Sequence, residues 1–139
     1  MAEASRHPLI ERLLRECSVP EVGSEGIDAF LAPAGDVVLF FTEDPMRFRE
    51  VTDLAVILPE IRKAASRPFR LGVLPPALAN AKAATYGVRR WPALVFLRDG
   101  GWLGNIEGLR DWSEYVALAG ALLAGEIRPL PPKVIPVAT

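Results

Sequence analysis

Two unbroken apolar runs stand out in an otherwise mixed chain, Val37-Val38-Leu39-Phe40-Phe41 and Ala93-Leu94-Val95-Phe96-Leu97. Each has the length of a strand and lacks polar alternation, the pattern of a strand covered on both faces. Phe69-Arg70-Leu71-Gly72-Val73-Leu74 is a third strand-like run, and Ser18 to Val22 a short one. Trp102-Leu103-Gly104-Asn105-Ile106 alternates, and it would return antiparallel after Asp99-Gly100-Gly101, a three-residue hairpin connection with glycine in the left-handed position.

Between these runs the apolar period becomes helical. Leu9, Ile10, Leu13, Leu14 and Cys17 follow Pro8, a residue suited to a first helical turn. Ser24 reads as the N-cap of a helix through Ile27, Phe30 and Leu31 that ends at Pro33-Ala34-Gly35. Phe48, Val51, Leu54, Ala55, Leu58 and Ile61 share a stripe that Pro59 interrupts, which predicts a kink there or a start only one turn earlier. Pro75-Pro76 opens a helix through Leu78, Ala81 and Ala84, with Gly87 just past its end. Asp111 and Glu114 have capping-box spacing ahead of Tyr115, Leu118, Ala119, Leu122 and Leu123. The order predicts an α/β fold: a mixed sheet of four or five strands with helices on both faces. One domain is expected over residues 1–125, followed by a Pro-rich tail, 126–139, with little to bury.

Composition narrows the function classes. A chain of 139 residues is long enough for one domain that buries roughly 68% of its unfolded surface. The formal net charge of −1 and the lack of a basic stripe give no broad pull toward nucleic acid or anionic membrane. Glu3, Arg6, Glu11, Arg12, Arg15 and Glu16 leave no room for the apolar region of a signal peptide, and no apolar run would span a bilayer, so the cytoplasm is the expected location. Cys17 is the sole cysteine and His7 the sole histidine. An intramolecular disulfide, a thiolate zinc cluster and a histidine-based triad are therefore not expected, and no cofactor or metal is called for.

Tyr86-Gly87-Val88 followed by Trp91-Pro92-Ala93 resembles the segment of thioredoxin-like proteins in which a cis-proline opens a buried strand. The resemblance implies a thioredoxin-like fold and a cis Trp91–Pro92 bond. In thioredoxins the paired cysteines lie between the central strand and the following helix, and here that interval, Thr42 to Asp53, contains no cysteine. Dithiol exchange needs an attacking and a resolving thiol side by side, so a redox enzyme is not expected. What the resemblance leaves is a groove whose loop before the cis-proline offers its backbone to an extended peptide. Arg90, Trp91 and Pro92 would line one side, and Thr42, Glu43, Asp44, Pro45 and Met46 the other.

A closer resemblance is carried by Val19-Pro20-Glu21-Val22, the run from Asp36 to Pro45, Glu50-Val51-Thr52-Asp53, the run from Tyr86 to Ala93, and Gly108-Leu109-Arg110-Asp111-Trp112. Together these resemble the HyaE/HupG hydrogenase expression/formation family, thioredoxin-like accessory proteins of NiFe-hydrogenase maturation without the cysteine motif. The resemblance implies a non-catalytic chaperone that binds the hydrogenase small-subunit precursor through its twin-arginine signal peptide. Glu43 and Asp44 would then receive a guanidinium pair through charge-assisted bonds, although Arg89 and Arg90 would oppose a cationic ligand unless paired or turned away. The plainer reading of Glu43-Asp44 is a solvated turn in which Asp44 caps the next segment. Trp91 reads as either core or docking platform, Met46 and Phe48 as either partner contacts or helix anchors, and Trp102 and Trp112 as packing residues. Two further functions stay open: a structural module that homodimerises through the loop near Trp91, and an enzyme acting through Cys17.

Overall fold

The structure is a computed structural model that describes residues 7–132. Readings that rest on residues 1–6 or 133–139, the start of the charged segment and the end of the Pro-rich tail, lie outside them. In chain order the elements are α1 (Pro8–Glu16), α2 (Ile27–Leu31), β1 (Asp36–Phe41), α3 (Glu50–Ala64), β2 (Arg70–Leu74), α4 (Pro76–Tyr86), β3 (Ala93–Arg98), β4 (Gly101–Glu107) and α5 (Trp112–Ala124). The strands form one sheet in the order β2-β1-β3-β4, with β2 parallel to β1, β3 antiparallel to β1 and β4 antiparallel to β3.

The apolar run of β1 follows from this position. All six of its residues are buried, and successive side chains enter different cores because a strand alternates its faces. Val38 and Phe40 pack with α1, α3 and α5, through Leu13, Leu54, Leu58 and Tyr115 among others. Val37, Leu39 and Phe41 pack with α2 and α4, through Ile27, Leu78 and Ala79. β3 divides in the same way, Leu94 and Phe96 to one face and Val95 and Leu97 to the other. Gly72 in β2 is a close approach: a Cβ there would stand 2.8 Å from the Phe30 ring and 2.9 Å from Val22.

Several local expectations are corrected. Ser18 to Val22 is a single parallel bridge, Glu21 to Val73, so the sheet has four strands among the described residues. Val22 N–H donates to Val73 O and Val73 N–H to Pro20 O, but Pro20 has no N–H with which to extend the ladder. α2 begins at Ile27 behind Gly26, with no side-chain cap, because Gly23–Gly26 forms a separate turn. α3 runs through Pro59 from a start at Glu50, so the proline lies well inside it. The β3–β4 connection is two residues long: Arg98 pairs with Gly101, leaving Asp99 (φ 51°) and Gly100 (φ 80°) in the left-handed positions of a tight hairpin turn. In α5 the row Tyr115, Ala119, Leu123 is buried, and Leu118, one step off that row, is exposed.

Beyond α5, Arg128 N–H donates to Trp102 O at 2.7 Å. Ile127 lies so close over Gly101 that a Cβ there would approach it to 2.6 Å, and Pro131 sits as tightly over Gly87. Among the described residues no helix is long and apolar enough to cross a membrane.

Candidate functional site

The sheet order places the start of β3 between the ends of β1 and β4. Phe41 pairs with Ala93 on one side and Ala93 with Glu107 on the other. The loop entering β3, the loop leaving β1 and the turn leaving β4 therefore share one end of the sheet, the end where open α/β sheets bind ligands.

The Trp91–Pro92 bond is cis, as the thioredoxin-like resemblance implies. Pro92 is buried, and its carbonyl accepts from Gly108 N–H at 2.8 Å, which ties the β4–α5 turn to this loop. Glu107 holds the preceding residues: its Oε1 accepts from Arg89 N–H at 2.7 Å and from Arg90 N–H at 3.0 Å. Trp91 is half-buried and stacks on Phe41, with ring centroids 6.3 Å apart and planes at 26°. One face thus serves the core while part of the ring stays accessible. The turn and loop hydrogen bonds among the described residues leave the N–H and C=O of Trp91 unused.

Across from it, Thr42 is buried, and its hydroxyl donates to Leu74 O at 2.7 Å. Glu43 and Asp44 then build a turn. Glu43 Oε1 accepts from Asp44 N–H at 2.9 Å and its Oε2 from Asn80 Nδ2 at 2.6 Å. Asp44 Oδ1 accepts from Met46 N–H at 3.0 Å, while its carbonyl accepts from Arg47 and Phe48. Both carboxylates are thus engaged by donors of this chain, as the capped-turn reading of the sequence has it. Pro45 is half-buried within the turn. Met46 and Phe48 divide: Phe48 packs against the α1/α3/α5 core, with the Arg47 guanidinium 5.5 Å above its ring, whereas Met46 is 87% exposed. Arg90 is exposed beside Trp91.

Sequence reasoning missed the third wall. Leu109, 44% exposed, follows the glycine bonded to Pro92, and Trp112, expected to pack, is 47% exposed at the start of α5. A large apolar pair in the charged stretch Gly108-Leu109-Arg110-Asp111-Trp112-Ser113-Glu114 was the available signal. Tyr115 fixes the turn from below. Its hydroxyl donates to Gly108 O at 3.1 Å, and burial, the largest cause, pushes its phenol above the usual value. Trp102 does pack: its Nε1–H donates to Asn105 Oδ1 at 2.9 Å, and Asn105 Nδ2 donates to Tyr86 O at 2.6 Å.

The other candidates lie elsewhere. Cys17 caps the end of α1, half-buried in a groove of about 180 Å³ between α1 and α3 lined also by Leu9, Leu13, Val56 and Pro59. Among the described residues no group of three or more His, Cys, Asp or Glu side chains is placed to hold a metal ion. At the opposite end of the sheet, Asp36 accepts from Arg98 Nε at 2.6 Å and from Arg67 Nε at 2.9 Å. The Arg98 hydrogen bonds hold its carboxyl below the usual carboxylate value, against the opposing pull of burial.

This arrangement is a thioredoxin-like fold with a cis-proline loop and no cysteine in the interval from Thr42 to Asp53. The fold is matched by a thioredoxin variant from Halobacterium salinarum, with a TM-score of 0.57 and 21% identity over 80% of this chain and 93% of that one. The chain belongs to the HyaE family, whose model, Hydrogenase-1 expression protein HyaE, matches residues 9–115. It is 44% identical over 111 residues to the hydrogenase expression/formation protein HoxO of Cupriavidus necator, covering 78% of this chain and 69% of the relative. It is 40% identical over 129 residues to HoxO of Azotobacter vinelandii, covering 90% and 84%. A crystal structure described as hydrogenase expression/formation protein HupG from Rhodopseudomonas palustris superimposes with a TM-score of 0.53 and 36% identity, covering 76% of this chain and 95% of that one. Membership supports a role in hydrogenase maturation.

Proposed function

We propose that this chain is a non-catalytic, cytoplasmic chaperone of NiFe-hydrogenase maturation that binds the hydrogenase small-subunit precursor through its twin-arginine signal peptide. The observation that carries this reading is the state of the cis-proline loop. Glu107 clamps the two residues before Trp91, Gly108 clamps Pro92, and the backbone of Trp91 between them keeps its donor and acceptor. A rigid loop with one unused N–H and C=O suits the addition of an extended peptide, whose main chain supplies affinity and whose side chains supply selectivity. The interval from Thr42 to Asp53 offers no thiol, so attachment there is non-covalent.

Titration calorimetry with the small-subunit precursor, with and without its leader, tests the reading. The full precursor is expected to bind and the leaderless form to release no heat. Equal binding of both would remove the leader from the account, and binding of neither would remove the chaperone role. The exposure of Met46 and Trp112 favours one competing reading, a structural module that homodimerises through this same end. Sedimentation showing a dimer that dissociates with Met46→Ser and Trp112→Ser would select it.

A further inference from the structure

The loops at the binding end differ in what they leave available. The carboxylates of Glu43 and Asp44 are engaged by N–H donors of Asp44, Asn80 and Met46. Arg89 and Arg90 are exposed, and among the described residues their guanidinium groups enter no ion pair; Glu107 holds only their main-chain N–H groups. A second arginine pair brought to Arg89 and Arg90 would meet two like charges, while Glu43 and Asp44, still anionic, already have Glu43 Oε1, Glu43 Oε2 and Asp44 Oδ1 held in place by donors of this chain. The apolar side chains are the ones left open: Met46 on the β1 side of the cis-proline, Leu109 and Trp112 on the β4 side.

We infer that the groove reads the apolar stretch of the leader and not its arginine pair. The inference rests on the proposed recognition of the leader. Export signals join a cationic start to an apolar run of about 7–15 residues. That run, held extended against the Trp91 backbone, directs alternate side chains to opposite sides of its own strand. Met46 lies on one flank of the cis-proline and Leu109 with Trp112 on the other, so both flanks meet apolar side chains. The arginine pair projects beyond the groove, away from Arg89 and Arg90.

The test uses the full-length chain and labelled synthetic leader peptides, read by fluorescence anisotropy. Replacing the leader's two arginines with glutamine is expected to change affinity by no more than about threefold, the scale of an exposed charge contact. Placing two aspartates in its apolar run is expected to weaken binding by about tenfold or more, and so are Leu109→Ser and Trp112→Ser, the scale of losing an interface anchor. Val56→Ser, a change at an exposed apolar residue on α3 away from this end, is the control and should bind like wild type. Circular dichroism and thermal midpoints establish that each variant is folded; should Trp112→Ser fail, Trp112→Gln replaces it. Loss of binding with the glutamine peptide, or wild-type affinity in both the Leu109 and Trp112 variants, overturns the inference and leaves leader recognition standing. Failure of every leader peptide to bind overturns both.

Discussion

The two ends of the central sheet are built on opposite plans. At the end where β1 begins, charge is turned inward: Asp36, almost fully buried, joins β1 to Arg98 on β3 and to Arg67. Arg98 goes on to donate to Leu123 O and Gly125 O, fastening the end of α5 to the same point. At the end where β1 finishes, loops from three strands meet, polar groups are engaged in shaping turns, and large apolar side chains face water. A single sheet thus carries a stabilising end and a presenting end. Burying an ion pair costs desolvation, and that cost is recovered only where the geometry satisfies both partners. At the second end Met46, Leu109 and Trp112 are exposed, and the proposed function gives these side chains a partner.

The comparison breaks first at Asp36. Asp36→Ala leaves the Arg98 guanidinium with its carbonyl partners alone, and urea unfolding should show a loss of about 3–5 kcal/mol. A loss below about 1 kcal/mol would erase the distinction between the ends. A second effect follows from protonation. With its carboxyl held low by Arg98 first, native Asp36 binds fewer protons near pH 4 than the unfolded chain does. Its contribution is present above the unfolded value of about 3.9 and is lost as pH falls through the lower folded value. The stability gap between wild type and Asp36→Asn should therefore narrow below about pH 4, and a gap that is flat with pH would contradict the assignment. Thr42→Val, at the presenting end, removes the hydroxyl bond to Leu74 O while the Thr42 N–H still donates there, so about 1 kcal/mol is expected. Met46→Ser should lie within about 0.5 kcal/mol of wild type in the same experiment.

The parts visible in the sequence are those fixed by local chemistry. Apolar runs marked β1 and β3 because each strand is buried on both faces. Gly87 marked the end of α4 because its φ of 69° suits glycine, and the Asp111–Glu114 spacing marked the start of α5. The Glu43–Asp44 turn was legible as one of two readings for the same reason. What escaped depends on distance along the chain. Asp36, Arg67 and Arg98 stand far apart in sequence; the β1–β3 register brings Arg98 to Asp36, and the β1–β2 pairing brings Arg67, which lies just before β2. Leu109 and Trp112 join the site because β4 ends beside β3's first residue, a neighbour relation that periodicity alone does not reveal.

Hydrogen–deuterium exchange of the chain alone and with the small-subunit precursor tests the division of labour most directly. The account predicts new protection at the amides of Trp91, Met46 and Leu109, with those of Val37 and Arg98 unchanged. Protection confined to the Asp36 end or to the α1–α3 groove, with the cis-proline loop exchanging as before, would contradict it.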